Sequence, residues 1–380
     1  MDGNPKKLHI CVVGMGFGRM FTDIYLAHPD VAKVSVFDTN SELLKQIAKA
    51  DPRLSVYDSF KQILDDPDLD AVHLVTPIPL HEEQSVTVLE SGKHCACTVP
   101  MSMSLKGIER IVKAKNASGK KYMMMETSMY TYHFFHVKHL IESGSLGKIQ
   151  FLRGAHYQEM AGWPDYWRGL PPMYYATHAI APLVGLAGSK VKSVICLGSG
   201  TMDKALTEQY GNPYPLETAL LTFENNIKAE VTRSLFETAK EIQEGFFVYG
   251  SKQSFEWGFT EYNDLYITTA ADTAYTGRGG IFEIYNGGIP VHNEGLPKDL
   301  RKFSANIPID PEDTKRILSA KEGSSHHGSH PHLVHEFVTA IAEDKEPFVS
   351  AELAANICAA GICAHESAMK DGKKIDIPQF

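Results

Sequence analysis

No apolar run in the 380 residues approaches the roughly 18 needed for a membrane-spanning helix. No block of lysines and arginines interrupts a net charge of −9. The first absence argues against a membrane protein and the second against a general nucleic-acid or acidic-surface binder. A signal-peptide pattern is also missing, since Met1-Asp2-Gly3 runs almost directly into a strand-like segment; a cytoplasmic location is the expectation. Cysteine is scarce at six positions, and their spacing is not that of a zinc knuckle. Cys95 and Cys97 fall two apart on a strand-like run, where two thiols share a face and pack as small hydrophobes. Internal repeats and long low-complexity segments are absent. What remains, 43% hydrophobic and 22% charged residues, is the composition of an ordinary globular chain long enough for two domains.

The first third alternates short apolar runs with amphipathic ones. Strands are expected at Leu8–Val13, Val31–Phe37, Ala71–Val75, His94–Thr98 and Tyr122–Met125. Helices are expected up to Ala27, over Ser41–Ala50 with Ser41 as N-cap, at Phe60–Leu64 after Ser59, over Glu82–Ser91 and over Ser104–Ala117. Such β-α-β alternation implies a doubly wound parallel sheet. After a helix at about Phe135–Glu142 the rhythm changes. Lys148–Met160, Val191–Leu197, Thr218–Phe223, Lys228–Phe236, Gly245–Val248 and Ser254–Trp257 read as strands of a mostly antiparallel sheet, with Asn225-Asn226 as a hairpin turn. The stretch Thr268–Gly280 reads as an irregular loop. His332–Ala342 and Ala351–Lys370 return to helical periodicity. The expected architecture is an α/β Rossmann domain over residues 1–127 and an α+β domain with a large open sheet over residues 128–380.

Gly14-Met15-Gly16-Phe17-Gly18-Arg19 follows a strand and opens a helix, the context a dinucleotide fingerprint needs. Gly14 permits the tight turn, and Gly16 lets backbone N–H groups approach a pyrophosphate at the helix N-terminus. Phe17 lies between Gly16 and Gly18, and the third glycine, Gly18, falls one position early. Asp38 ends the second strand, where an acid either bonds the ribose 2′-OH or caps a turn. Its carboxylate would repel a 2′-phosphate, so NAD is expected over NADP.

Val75-Thr76-Pro77, His81, Gly92-Lys93-His94 and Pro100 together resemble the Gfo/Idh/MocA family, relatives of glucose–fructose oxidoreductase and inositol dehydrogenase. Leu140–Ile149 and the ending, with Ser367-Ala368 and Ile375–Pro378, are similar to that family's second domain. The resemblance implies a Rossmann domain joined to an open sheet, with substrate bound between them and Thr76, Pro77, His81 and Pro100 beside the cofactor. Two departures stand out. Where the family has Glu-Lys-Pro, this chain has Thr98-Val99-Pro100 and lacks the lysine. Where the family has Asp-x-x-x-His, this chain has Tyr174-Tyr175-Ala176-Thr177-His178 and keeps only the histidine. A dehydrogenase needs a base for the hydroxyl proton, and His178 is the candidate by its intrinsic pKa. The alternative for His178 is a hydrogen-bonded structural role. Tyr174 takes the aspartate's place as proton relay or donor, and Tyr175 beside it is a candidate substrate contact.

Gly154–Arg168 is dense in side chains that suit carbohydrate, with Trp163 and Arg168 foremost; the competing reading is core or subunit-interface packing. Glu126 and Tyr130 follow the last Rossmann strand, either at a ligand edge or as hinge anchors. Arg233 alternates with apolar residues and faces either substrate or solvent. His326, His327, His330, His332 and His335 crowd one stretch. No metal is expected there; the plainer reading is a loop and a helix start with Ser329 as cap, bordering a pocket where His327 contacts substrate.

Three functional readings follow. The first is an NAD-dependent dehydrogenase acting on a secondary hydroxyl of a sugar, glycoside or cyclic polyol. Its chemical variant uses oxidation to drive elimination of a glycosidic bond. The third is a non-catalytic NAD-binding sensor. An open sheet needs cover, so a homodimer or homotetramer is expected.

Overall fold

The computed structural model describes residues 7–258, 260, 264–270, 282–305 and 325–380. It divides into two compact units that are not consecutive in sequence. Met1–Tyr132 joins Val291–Ala355 and Phe380 in the first, and His133–Pro290 joins Asn356–Gln379 in the second.

The first unit is built on β1 (Leu8–Val13), β2 (Val31–Phe37), β3 (Ser55–Val56), β4 (Ala71–Leu74), β5 (His94–Cys97) and β6 (Tyr122–Met124). They form one parallel sheet in the order β3-β2-β1-β4-β5-β6. β1 and β4 are buried along their whole length, which is why they read as continuous runs with little alternation. The crossovers carry α1 (Arg19–Ala27), α2 (Ser41–Ala50), α3 (Phe60–Asp65), α4 (His81–Glu90) and α5 (Leu105–Ser118). Side-chain caps set their starts. Ser59 accepts from the Gln62 N–H and Ser104 from the Gly107 N–H. At α2 the cap is Asn40, not Ser41: Asn40 Oδ1 accepts from Leu43 N–H, and Ser41 is already helical. α5 closes on Gly119 in the left-handed region, as a helix end favours.

The helix His330–Ala342 packs on α1. Ser329 precedes it with helical angles and no side-chain cap bond, so the expected capping role is not realised. Among its contacts, His330 lies 4.6 Å from the Phe21 ring, and Phe21 in turn lies 4.6 Å from His73.

The second unit holds a nine-stranded sheet, ordered β14-β13-β12-β11-β7-β10-β9-β8-β15. The strands are β7 (Ile149–Tyr157), β8 (Val191–Ser199), β9 (Leu216–Phe223), β10 (Lys228–Ser234), β11 (Gln243–Gly250), β12 (Gln253–Glu256), β13 (Leu265–Ala270), β14 (Phe282–Gly287) and β15 (Ile375–Asp376). Neighbours are antiparallel except β7 and β10. Asn226, at φ 68°, turns the β9–β10 hairpin and donates its N–H to the Phe223 carbonyl. The expected loop at Thr268–Gly280 begins inside β13; its remainder, from residue 271, lies outside the described residues.

After α6 (Tyr132–Glu142), helix α7 (Thr177–Ala187) covers one face of β7, β10 and β11. It can approach because Gly154 has no side chain: a Cβ there would sit 2.1 Å from the Ala179 carbonyl oxygen. Registry beneath α7 produces transverse rows of side chains on one face. Leu221, Ala229, Leu152 and Val248 make one row, and Ala219, Val231, Gly154 and Phe246 the next. A large apolar side chain fully buried in such rows contributes about 1.5–3 kcal/mol. The third row reverses character, running Glu217, Arg233, His156, Glu244 across β9, β10, β7 and β11.

Candidate active site

The first half-site is the turn after β1. Gly14 has φ +92°, and a Cβ there would lie 2.3 Å from the Val75 carbonyl oxygen. Gly16 is the opposite case: it is exposed, and a Cβ would meet nothing within 4 Å. Gly18 starts α1, and its Cβ would strike the Gly14 carbonyl oxygen at 2.2 Å. The early third glycine therefore provides the close packing, and α1 begins without a side-chain cap or an acid in its first turn. An uncapped helix start beneath an open glycine fits a pyrophosphate. Phe17 is 40% exposed beside it, with its ring edge-on to Phe21, His326 and His330.

Asp38 reaches back to this turn. Its Oδ2 accepts from the Met15 N–H at 2.6 Å and its Oδ1 from the Asn40 N–H at 2.8 Å. The carboxylate is thus fixed at the end of β2 by both backbone bonds, with lone pairs remaining for a hydroxyl donor.

His81, the first residue of α4, is fully buried and clamps two loops together. Its Nδ1 lies 2.8 Å from the Pro100 carbonyl oxygen and its Nε2 2.8 Å from that of Thr76. A neutral imidazole has one N–H, so two accepting carbonyls call for the doubly protonated ring. Burial works against that charge, but the Cys97 sulfur and the Pro100 and Thr76 carbonyls outweigh it and raise His81 to about 9. Thr76 also donates its hydroxyl to Gln84 at 2.6 Å, while Pro77 is exposed at the start of the turn Ile78–Leu80. Val99 is buried where the resemblance expects lysine.

Glu126 is fully buried and caps the turn Thr127–Met129, its Oε1 accepting from the N–H and hydroxyl of Ser128. That is anchor geometry. Tyr130 is buried nearby; burial, then the Glu336 carboxylate, push its phenol well up. His327 is buried at φ 51°, its ring 5.7 Å from that of Tyr132.

The second half-site lies in the other unit, where α7 meets the charged row. His178 is buried on the first turn of α7, its Nδ1 3.6 Å from Glu244 Oε1 and its Nε2 3.4 Å from the Tyr175 hydroxyl. The His156 ring is 5.3 Å away. Tyr175 stands edge-on to His178 at 5.5 Å and to Trp167 at 4.6 Å. Trp163, half exposed, extends this aromatic wall at 5.7 Å from Trp167. Arg168 is exposed at the end of the turn Asp165–Trp167.

Tyr174 is placed elsewhere. Its ring is edge-on to His365 at 5.2 Å, and burial, then Glu217 and Glu366, raise its phenol. The tyrosine next to His178 is Tyr175. Arg233 faces neither solvent nor an open substrate surface: it is fully buried, and four of its hydrogen bonds are accounted for. Nε donates to the Tyr175 carbonyl, Nη1 to the carbonyls of His156 and Ser234, and Nη2 to Gln158 Oε1. Burial lowers it to about 9, against the opposing pull of Tyr175 and Glu244. Glu217 is satisfied at both oxygens, by His365 Nδ1 at 2.7 Å and the Met173 N–H at 2.9 Å.

Glu244, Glu217 and His365 were not singled out from the sequence. The signal was present in Glu244-Gly245-Phe246-Phe247-Val248 and Glu217-Thr218-Ala219-Leu220-Leu221, where an acid occupies the apolar parity of a strand. Among the described residues no group of three or more His, Cys, Asp or Glu could hold a metal ion. No helix among them is long and apolar enough to cross a membrane.

Comparisons place these two half-sites in context. The levoglucosan dehydrogenase of Pseudarthrobacter phenanthrenivorans is 25% identical over 327 residues, covering 77% of this chain and 83% of its own. A glycosyl hydrolase family 109 protein of Porphyromonas gingivalis is 25% identical over 215 residues, covering 50% of this chain; the chain spans 46% of that relative's length. Among solved structures, levoglucosan dehydrogenase in complex with NADH and levoglucosan superposes with TM-score 0.77 at 22% identity, covering 98% of this chain and all of that one. Aldose–aldose oxidoreductase from Caulobacter crescentus complexed with glycerol gives 0.67 at 18% identity, covering 98% and 100%. Residues 8–126 match the profile of the oxidoreductase family with NAD-binding Rossmann fold and residues 134–256 the GFO/IDH/MocA C-terminal domain. The glycine turn, the open sheet and these two matches converge, and the chain belongs to the GFO/IDH/MocA oxidoreductase family.

Proposed function

We propose that this protein oxidises a secondary hydroxyl of a sugar, anhydrosugar or cyclic polyol, with NAD(H) held at the first half-site and His178 as general base at the second. The observation that carries the reading is the surroundings of His178: a carboxylate on the Nδ1 side, a phenol on the Nε2 side, and an aromatic wall alongside. In the net step the carbinol C–H and O–H bonds break as a C=O bond forms. Bound nicotinamide would supply the acceptor for the hydride. The proton goes to His178 Nε2, and Tyr175 orients the hydroxyl that delivers it. Trp163 and Trp167 suit the apolar face of a sugar ring, and Arg168 its hydroxyls. Among relatives, a levoglucosan dehydrogenase supports an anhydrosugar as the first compound to try. Asp38 supports NAD over NADP, because a fixed carboxylate would face a 2′-phosphate.

The test is NADH absorbance together with product mass on a panel of levoglucosan, free sugars, aryl glycosides and inositols. We expect turnover by wild type and a loss of about 10²–10⁴-fold in His178→Ala. NAD binding without turnover on any compound, and no difference in the variant, would refute the enzyme reading in favour of a sensor. A second reading rests on several family 109 glycosyl hydrolase relatives. In it, oxidation acidifies a neighbouring C–H, elimination cleaves a glycosidic bond, and the cofactor is regenerated. Cleaved product without accumulating NADH would select it.

A further inference from the structure

The charged row beneath α7 departs from the two apolar rows beside it, and His178 stands over one end of that row. Among the described residues, the groups around His178 come from several elements. They are His156 from β7, Arg233 from β10, Glu244 from β11 and Tyr175 from the turn that leads into α7. The first turn of α7 contributes no acid. Glu244 is the carboxylate of this set.

His178 is the second residue of α7, where the partial positive charge of a helix N-terminus opposes an imidazolium. Arg233, one strand further on, adds a full positive charge. A base must nevertheless become a cation once it has taken a proton, so a counter-charge is required at this position. A carboxylate at ion-pair distance outweighs the half-charge of a helix end. The separation of 3.6 Å is that of an ion pair, and a shift of about half an ångström would make it a hydrogen bond. Such contacts commonly tighten when substrate binds.

We propose that Glu244 is the positioning residue of His178: its carboxylate holds the imidazole with the proton on Nδ1 and keeps Nε2 basic toward the reacting hydroxyl. The proposal rests on the reading of His178 as the base. It restores, from strand β11, the carboxylate that Tyr174 replaces in the Asp-x-x-x-His pattern. No proton passes to Glu244 in this scheme. The carboxylate remains ionised and balances the imidazolium that forms when Nε2 accepts the hydroxyl proton. His156 lies directly across the β7–β11 pair from Glu244.

The experiment is histidine-selective imidazole NMR on the full chain, with His178 assigned by its loss in His178→Asn, followed by titration of wild type, Glu244→Gln and Glu244→Asp. The expected result is an Nδ1–H tautomer for neutral His178 in wild type and a titration midpoint about one unit lower in Glu244→Gln, with partial recovery in Glu244→Asp. The acid limb of kcat/KM should move down by the same amount. A merely structural role would lower activity equally at every pH and leave the midpoint in place. An Nε2–H tautomer in wild type, or an unchanged midpoint in a folded Glu244→Gln, would overturn the proposal. If Glu244→Gln does not fold, the wild-type tautomer decides alone. The spectra require no substrate, so failure to find turnover would sink the functional reading without touching the Glu244–His178 pair.

Discussion

Arg233 is held mostly by oxygen atoms of the main chain, so its removal takes a donor from the carbonyls of Tyr175, His156 and Ser234 and from the Gln158 side chain. Arg233→Met should cost about 3 kcal/mol or more in urea unfolding, because buried acceptors lose their donor while volume is roughly kept. His81 makes a prediction of definite sign. Its folded-state value, about 9, lies above an unfolded value near 6.5. Its contribution to stability is therefore complete below pH 6.5 and is lost as pH rises through about 9. His81→Asn should flatten the alkaline fall of the unfolding free energy between those limits. At Asp38 the prediction concerns the cofactor: Asp38→Ser should raise the ratio of NADP to NAD affinity by about tenfold or more, read by fluorescence titration. These residues differ in how far the sequence discloses them. Asp38 stands out by its spacing from the glycine turn, and His178 by the resemblance to the Asp-x-x-x-His pattern. Glu244 does not, because what makes it functional is a neighbour 66 positions away that only sheet registry brings near.

Elements were more legible than sites, for the same reason. The apolar runs of β1 and β4, the period of α5 and the cap at Ser59 are local facts, and they appear in the structure close to where the sequence puts them; at α5 Ser104, expected as its first residue, is the cap. The cap of α2 slipped by one residue because Asn40 and Ser41 both suit the role, and only backbone angles choose between them. The bed of α7 was not legible, since nothing local tells Gly154 from any other strand glycine. Gly154→Ala should overpack against the Ala179 carbonyl and lower stability by about 1–3 kcal/mol, measured as a shift in thermal or urea midpoint. Buried histidines on and around the helix His330–Ala342 add acid sensitivity to their unit. Burial, then the neighbouring His335, hold His28 and His332 at about 3, burial alone holds His73 at about 3, and His330 is pushed well down. These groups stay neutral in the folded chain but charge in the unfolded one below about pH 6.5. Their contribution is present above that pH and is lost as pH falls toward 3. His330→Leu should make the acid limb of the stability profile shallower.

At the scale of the molecule, the sheet of the second unit shows two different faces. One is covered by α7. On the other, Ile195, Leu197 and Leu220 are each more than 40% exposed on adjacent strands. An apolar face of this kind calls for cover, and light scattering should report a homodimer or homotetramer that Leu220→Glu dissociates. The covered face has a consequence for how the sheet assembles. Its first row is made of interchangeable aliphatics, which would pair almost as well after a sideways slip. The row Glu217, Arg233, His156, Glu244 would not. Moving β10 by one residue turns Arg233 outward and brings Thr232 under α7, abandoning three carbonyls at once. The same residues that surround His178 thus act as a key cut for a single lock position, so the setting of that histidine and the fidelity of strand alignment are inherited together or lost together.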